Sequence, residues 1–134
     1  MKQLFTLTAL IVTLFLSSTA SATTATNELF ARYKSEGAAG FDAERGKTVW
    51  TKEVKGEGGE MMSCTICHSD DLTKEGKHHK TGKLIKPMAP SVNAERFTDA
   101  KKIEKWFKRN CNDVWSRDCT AQEKGDILKF LLSK

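Results

Sequence analysis

Residues 64–68 read Cys-Thr-Ile-Cys-His, and this run can do chemistry. Two thiols separated by two residues can add to the two vinyl groups of a haem and hold it through thioethers. A histidine directly after the second cysteine then falls beneath the iron as proximal ligand. Two other uses of Cys-x-x-Cys compete. A thioredoxin-type dithiol belongs in a βαβ setting, and the strand signal is weak throughout this chain. A structural zinc takes four ligands at short spacing, whereas Cys111 and Cys119 lie far along the chain and eight residues apart. The run therefore predicts one covalently attached haem c on Cys64, Cys67 and His68.

An iron held by His68 has a sixth position, and several groups compete for it. Met88 is the obvious sulfur donor. It comes 20 residues after His68, however, with a helix and a further loop still ahead. Methionine also fills irregular apolar gaps, so packing is its expected role. Met61 and Met62 precede the first cysteine and are poorly placed. His78 and His79 sit in a lysine-rich stretch and read as solvated. The slot before the last helix, residues 109–119, reads Arg-Asn-Cys-Asn-Asp-Val-Trp-Ser-Arg-Asp-Cys. It offers Asn110, Cys111, Asn112, Asp113, Asp118 and Cys119. The two cysteines can close a short disulfide loop, and paired they are no longer thiolate ligands. The asparagines suit a helix cap and turn, and bare chemistry favours that role over iron ligation.

The elements that must position these groups read as helices. Thr26 to Glu36 carries Leu29, Phe30 and Tyr33 at helical spacing, and Gly37 stops it. Asp42 can cap a second helix with Ala43, Gly46, Val49 and Trp50 on one face. Residues 55–63 read as a flexible glycine-rich loop, and 69–93 as a long irregular span punctuated by Gly76, Gly82, Pro87 and Pro90. A helix starts at Thr98 or Asp99 and bears Phe97, Ala100, Ile103, Trp106 and Phe107, with the 109–119 loop after it. Thr120 and Glu123 form a capping box. They open a last helix with Ile127, Leu128, Leu131 and Leu132 on one face. Gly125 inside that helix implies a close helix crossing, placed near Gly46.

Residues 1–22 have the form of an export leader: Lys2, an apolar run over Leu4 to Leu16, and a cleavage site at Ala20-Ser21-Ala22. Residues 23–134 would then form one small soluble domain in the periplasm. Without Lys2 there are 21 basic against 17 acidic residues, a net +4. The basic residues form no long block and interleave with no aromatic stripe. They imply a surface for an acidic redox partner rather than for nucleic acid.

The order of parts resembles class I cytochrome c: mainly α, with a helix, the haem run, an irregular span, a second helix, a ligand loop and a last helix crossing the first. More closely, the chain resembles the Sphaeroides haem protein family, oxygen-binding class I c-type cytochromes. The likeness rests on Glu44-Arg45-Gly46, CTICH, TGKLIKPMAPS at 81–91, RFTDAKKIEKWFKRNCN at 96–112 and RDCTAQEKGD at 117–126. It implies that Asn110 is the sixth iron ligand, that Cys111 and Cys119 form a disulfide, and that a dihaem c-type cytochrome donates electrons. Met88 stands where leucine is expected, which leaves a sulfur competitor in place.

A carboxamide oxygen is a hard donor that suits ferric better than ferrous iron. The resemblance therefore implies an iron closed by Asn110 when oxidised and open to O2, NO or CO when reduced. Trp106, Phe107 and Trp115 are candidates to wall the haem. Two alternatives stand beside this reading: a plain His/Met electron carrier using Met88, and a haem enzyme reducing O2, peroxide or nitrogen oxides. An enzyme would need a placed distal acid or base, with Asp113, Arg117 and the histidines as candidates.

Overall fold

Helices dominate the fold, as the apolar spacing predicts. The computed structural model describes residues 19–56 and 58–134, with side chains from Thr23 onward. Residues 1–18 of the expected leader lie outside the described part. The described helices are α1 (Thr19–Ser35), α2 (Ala43–Thr51), α3 (Thr65–His68), α4 (Ala100–Trp115) and α5 (Ala121–Leu132). Two short antiparallel hairpins join them. One pairs β1 (Val54–Lys55) with β2 (Met61–Met62), so the glycine-rich segment expected to be a loop is a hairpin. The other pairs β3 (Gly76–Lys77) with β4 (Leu84–Ile85) inside the irregular span.

Local chemistry sets the helix ends. Gly37 takes φ 96° after α1, a conformation that suits glycine. Asp42 accepts a hydrogen bond from the Arg45 N–H at 2.8 Å and caps α2, and Asp99 does the same for α4 through the Lys102 N–H at 3.0 Å. Thr120 and Glu123 complete the reciprocal capping box of α5. The α4 helix differs from expectation. It does not stop near residue 108 but continues through Arg109–Trp115 to a left-handed cap at Ser116.

The core has two parts. Ala25, Leu29 and Tyr33 of α1 pack with Ala100 and Ile103 of α4 and Leu128 of α5. Trp50 of α2 packs with Leu72, Ala89 and Ile127, Phe130 and Leu131 of α5. Phe97 and Phe107 border both parts. The closest helix approach is between α2 and α5. A Cβ on Gly46 would overlap the Asp126 backbone carbonyl and come within 2.8 Å of Phe130 Cβ. The crossing therefore falls at Gly46, but its partner is Asp126 and not Gly125. A Cβ on Gly125 would instead strike the Phe41 ring.

The same crossing buries Asp126, which an exposed Arg45 clasps from outside. Asp126, 2% exposed, accepts from Arg45 Nε at 3.0 Å and Arg45 NH2 at 2.9 Å, from the Asp42 N–H at 2.8 Å and from Gln122 Nε2 at 3.1 Å. Burial alone would raise the Asp126 carboxyl, but the Arg45 hydrogen bonds leave it below its ordinary range. Tyr33 OH donates to Glu104, whose other oxygen takes Lys124 Nζ at 2.9 Å, so α1, α4 and α5 are also tied by polar groups.

Candidate functional site

One helical turn presents the cysteines and the histidine together. In α3 the N–H of His68 bonds the Cys64 carbonyl at 3.2 Å and that of Ser69 bonds Thr65 at 3.0 Å. Ser69 then breaks the turn with φ 64°. Cys64 and Cys67 carry free thiols. Burial pushes the Cys64 thiol up to about 12. The β3–β4 hairpin lies directly against this turn. A Cβ on Gly76 would overlap the Cys67 carbonyl and come within 2.9 Å of His68 Cα, so no larger residue fits there.

His68 is a neutral imidazole at ordinary pH. Burial pushes it down to about 4, helped by the nearby Arg96 guanidinium. Its Nδ1 is buried without a hydrogen-bond partner, which leaves Nε2 as the nitrogen that can reach outward to a metal. The Trp50 ring lies 5.3 Å from the His68 ring and backs it from α2. Trp50 Nε1 and Trp115 Nε1 are likewise buried and unpaired. Two thiols, a neutral imidazole with one outward nitrogen, an adjoining apolar cluster and unpaired indole donors fit a covalent haem c.

The two asparagines of 109–119 behave differently. Asn112 donates from Nδ2 to the Lys108 carbonyl at 2.7 Å and to Asp118 Oδ1 at 2.7 Å, and its own carbonyl takes the Ser116 N–H at 2.9 Å. It fills the cap and turn role. Asn110 is half-buried and, among the described residues, its carboxamide makes no hydrogen bond. It follows Ile103 and Phe107 by seven and three residues, so it shares their inward stripe on α4. The next residue, Cys111, is joined to Cys119 by a disulfide with a Cα–Cα distance of 5.7 Å. That link ties the last turns of α4 to the start of α5.

Met88 packs against the cluster around Trp50 and Leu72. Its backbone N–H and that of Ala89 both bond the Leu72 carbonyl, at 3.0 and 2.9 Å. Met61 is exposed and Met62 buried, both in β2. Of the three expected haem walls, Phe107 and Trp115 border the cluster. Trp106 does not: it is 45% exposed beneath the Arg109 guanidinium.

Sequence reading missed three placements. His79 is exposed, as its lysine-rich surroundings imply, but its backbone N–H and its Nδ1 also lie 3.4 Å from Cys67 Sγ, a contact the sequence does not show. Arg96 donates from Nε to the Pro87 carbonyl at 2.8 Å and from NH2 to that of Lys86, holding the 86–90 segment. Arg45 and Asp126 gave no local signal of pairing. Their recurrence inside Glu44-Arg45-Gly46 and RDCTAQEKGD was the clue available.

Residues 36–131 match the family model described as a domain of unknown function, DUF1924. The chain is 44% identical over 107 residues to the cytochrome c-type protein SHP of Cereibacter sphaeroides, covering 80% of this chain and 82% of that protein. It belongs to the Sphaeroides haem protein family. Its cofactor is accordingly a covalently attached haem c. Within the wider similarity, cytochrome c'' of Methylophilus methylotrophus is 38% identical over 89 residues, 66% of this chain and 62% of that protein. The solved structure of oxidised SHP, described as an oxygen binding cytochrome c, superposes with TM-score 0.73 at 43% identity, covering 81% of this chain and 96% of that one. Oxidised cytochrome c'' superposes with TM-score 0.74 at 30% identity, covering 87% and 97%. The fold is thus the class I-like cytochrome c fold of this family.

Proposed function

We propose that this chain is an exported, periplasmic monohaem cytochrome that takes up one electron and then opens its iron to a diatomic gas. When bound, the haem would supply an exchangeable electron and an iron able to take protein and gas ligands. Cys64 and Cys67 hold it through thioethers, and His68 gives Nε2 to one face. Asn110 offers its carboxamide oxygen to the other face while the iron is ferric. A hard, neutral oxygen would hold softer ferrous iron poorly, so the carboxamide of Asn110 would be the group that yields to O2, NO or CO in the reduced protein. The Cys111–Cys119 link limits how far that part of α4 can drift, so that Asn110 can return. The electron comes from another redox protein, for which the family likeness suggests a dihaem c-type cytochrome.

The placement of Asn110 carries this reading: its carboxamide lies on the Ile103–Phe107 stripe of α4 and makes no hydrogen bond within the described protein, whereas Asn112, two residues on, makes two and fills the cap role. Two similar solved proteins lend support, one described as oxygen binding and the other studied for haem-ligand detachment. The plain His/Met alternative draws less support, because Met88 is packed beside Trp50 and tied by backbone bonds to Leu72. The enzyme alternative draws less support from its candidate groups: Arg117 pairs with Glu123 at 2.7 Å, Asp113 lies 3.7 Å from Arg109 on the exposed side of α4, and His78 and His79 stack on each other in the β3–β4 hairpin.

Absorption and resonance Raman spectra of the oxidised and reduced holoprotein test the proposal. Wild type is expected to be six-coordinate when ferric and five-coordinate high-spin when ferrous. Asn110→Ala should lose the sixth ligand in the ferric state, and Met88→Leu should match wild type. A sixth ligand altered by Met88→Leu alone would overturn the Asn110 assignment.

A further inference from the structure

The segment from Lys74 to Lys86 carries a lysine at every third position: 74, 77, 80, 83 and 86. Glu75 is its only acidic residue. All five lysines are exposed, and one ion pair is found among them, Lys86 with Glu95 at 4.0 Å, both highly exposed. Such a pair contributes little. Five lysines against Glu75 therefore face solvent along this segment, with Asp70 and Asp71 just before it.

Structure turns this charge outward. In the hairpin Gly76 faces Ile85 and Lys77 faces Leu84. Cross-strand partners share a face and successive residues alternate. Gly76 is buried and Ile85 half-buried, so that face is turned inward, with Gly76 against the Cys67 carbonyl. Lys77 and Leu84 then share the outer face, and Leu84 is 63% exposed. Ile66, within the Cys64–His68 run, is also exposed at 41%. The tip is firmly built. His78 donates its N–H to Lys83 at 2.9 Å, Gly82 donates to His78 at 2.8 Å, and His78 Nδ1 accepts from Lys80 and Thr81 at 3.3 and 3.2 Å. His79 places both its backbone N–H and its ring nitrogen 3.4 Å from Cys67 Sγ.

We propose that the basic 74–86 hairpin, with the exposed Leu84 beside Lys77, is the docking surface for an acidic electron-donor protein. This rests on the reading that the haem takes up an electron. A run of exposed lysines beside an exposed apolar side chain steers and orients an acidic partner. Direct contact with the Cys67 sulfur puts that partner beside the point where the haem is fastened. The other basic stripe, Lys101, Lys105 and Lys108 on α4, is interrupted by Glu104, which pairs with Lys124, and by nearby Asp118.

The test uses the oxidised holoprotein with reduced flavodoxin, a strongly acidic flavoprotein, as probe. Two variants carry the same charge change: Lys77→Glu with Lys80→Glu and Lys83→Glu, and Lys101→Glu with Lys105→Glu and Lys108→Glu. Binding is read as the Kd for oxidised flavodoxin at low ionic strength, and electron transfer by stopped flow. The hairpin variant should lose at least about tenfold in both affinity and rate, and most of its salt dependence. The α4 variant should lose less than about threefold. Equal losses in the two would overturn the proposal in favour of net charge alone. Unchanged flavodoxin binding, with loss of binding to phosphatidylglycerol vesicles, would overturn it in favour of a membrane surface. Photoreduced 5-deazariboflavin, an uncharged donor of very low potential, serves as second donor. If it fails to reduce wild type, electron uptake itself is wrong; if it reduces every variant alike, a flavodoxin result bears on docking only.

Discussion

Replacing Cys111 and Cys119 together by alanine removes the link between the end of α4 and the start of α5. Both residues are buried, so alanine avoids burying new hydroxyls. The link closes a loop with a sequence separation of 8. Chain-entropy reasoning gives a loss of about 8 cal/mol/K, or about 2.5 kcal/mol at 25 °C. A domain of about 110 residues unfolds with an entropy near 230 cal/mol/K, so the melting temperature should fall by about 10 °C. Guanidinium unfolding of the ferric holoprotein, followed by far-UV circular dichroism and the Soret band together, gives the free energy directly. A loss below about 0.5 kcal/mol would refute the entropic reasoning. It would show that haem attachment or residual structure already confines this segment in the unfolded chain.

Two further outcomes follow from the helix contacts. Gly46→Ala forces a methyl group into the Asp126 backbone at the α2–α5 crossing; because backbone yields less than a side chain, the cost should reach about 3 kcal/mol, and an unchanged melting temperature would sink the crossing as described. Glu123 is held at about 2, chiefly by its Arg117 hydrogen bonds, against an ordinary value of 4.5. A carboxyl lowered in the folded state stabilises fully above its unfolded value and loses that contribution as pH falls through the folded one. Discounted for the half-exposed Arg117, this is about 1–2 kcal/mol lost between pH 4.5 and 2, and Glu123→Gln should flatten the stability profile across that window. The same slope in both proteins would remove Glu123 as its cause.

What the sequence disclosed was local chemistry. The Cys64–His68 turn, the caps at Asp42 and Asp99, the Thr120–Glu123 box and the apolar face of α5 are each written within a few residues, and the structure has them all. The extension of α4 was missed because Asn110, Cys111, Asn112, Asp113 and Val114 are mediocre helix formers. The stripe of Ile103 and Phe107 and the disulfide keep them helical regardless. The long-range clasps were also illegible. Arg45 and Asp126 lie 81 residues apart, and nothing near either announces the other. Gly125 correctly signalled a close approach, but only packing could reveal Phe41 as its neighbour. The contact of His79 with Cys67 was hidden because it depends on a hairpin that sequence presents as irregular.

That Asn110 rides on a continuous helix rather than a loop bears on time. An asparagine on a hydrogen-bonded turn can move off a metal by rotating about two side-chain bonds, with no backbone rearrangement. Such rotations take picoseconds to nanoseconds where the side chain is not packed in, whereas loop motions reach microseconds. On the proposed function, capture of a gas by the reduced protein would then be governed by its diffusion to the iron. A slow, concentration-independent phase in laser-flash recombination with CO would be the mark of a backbone that moves after all.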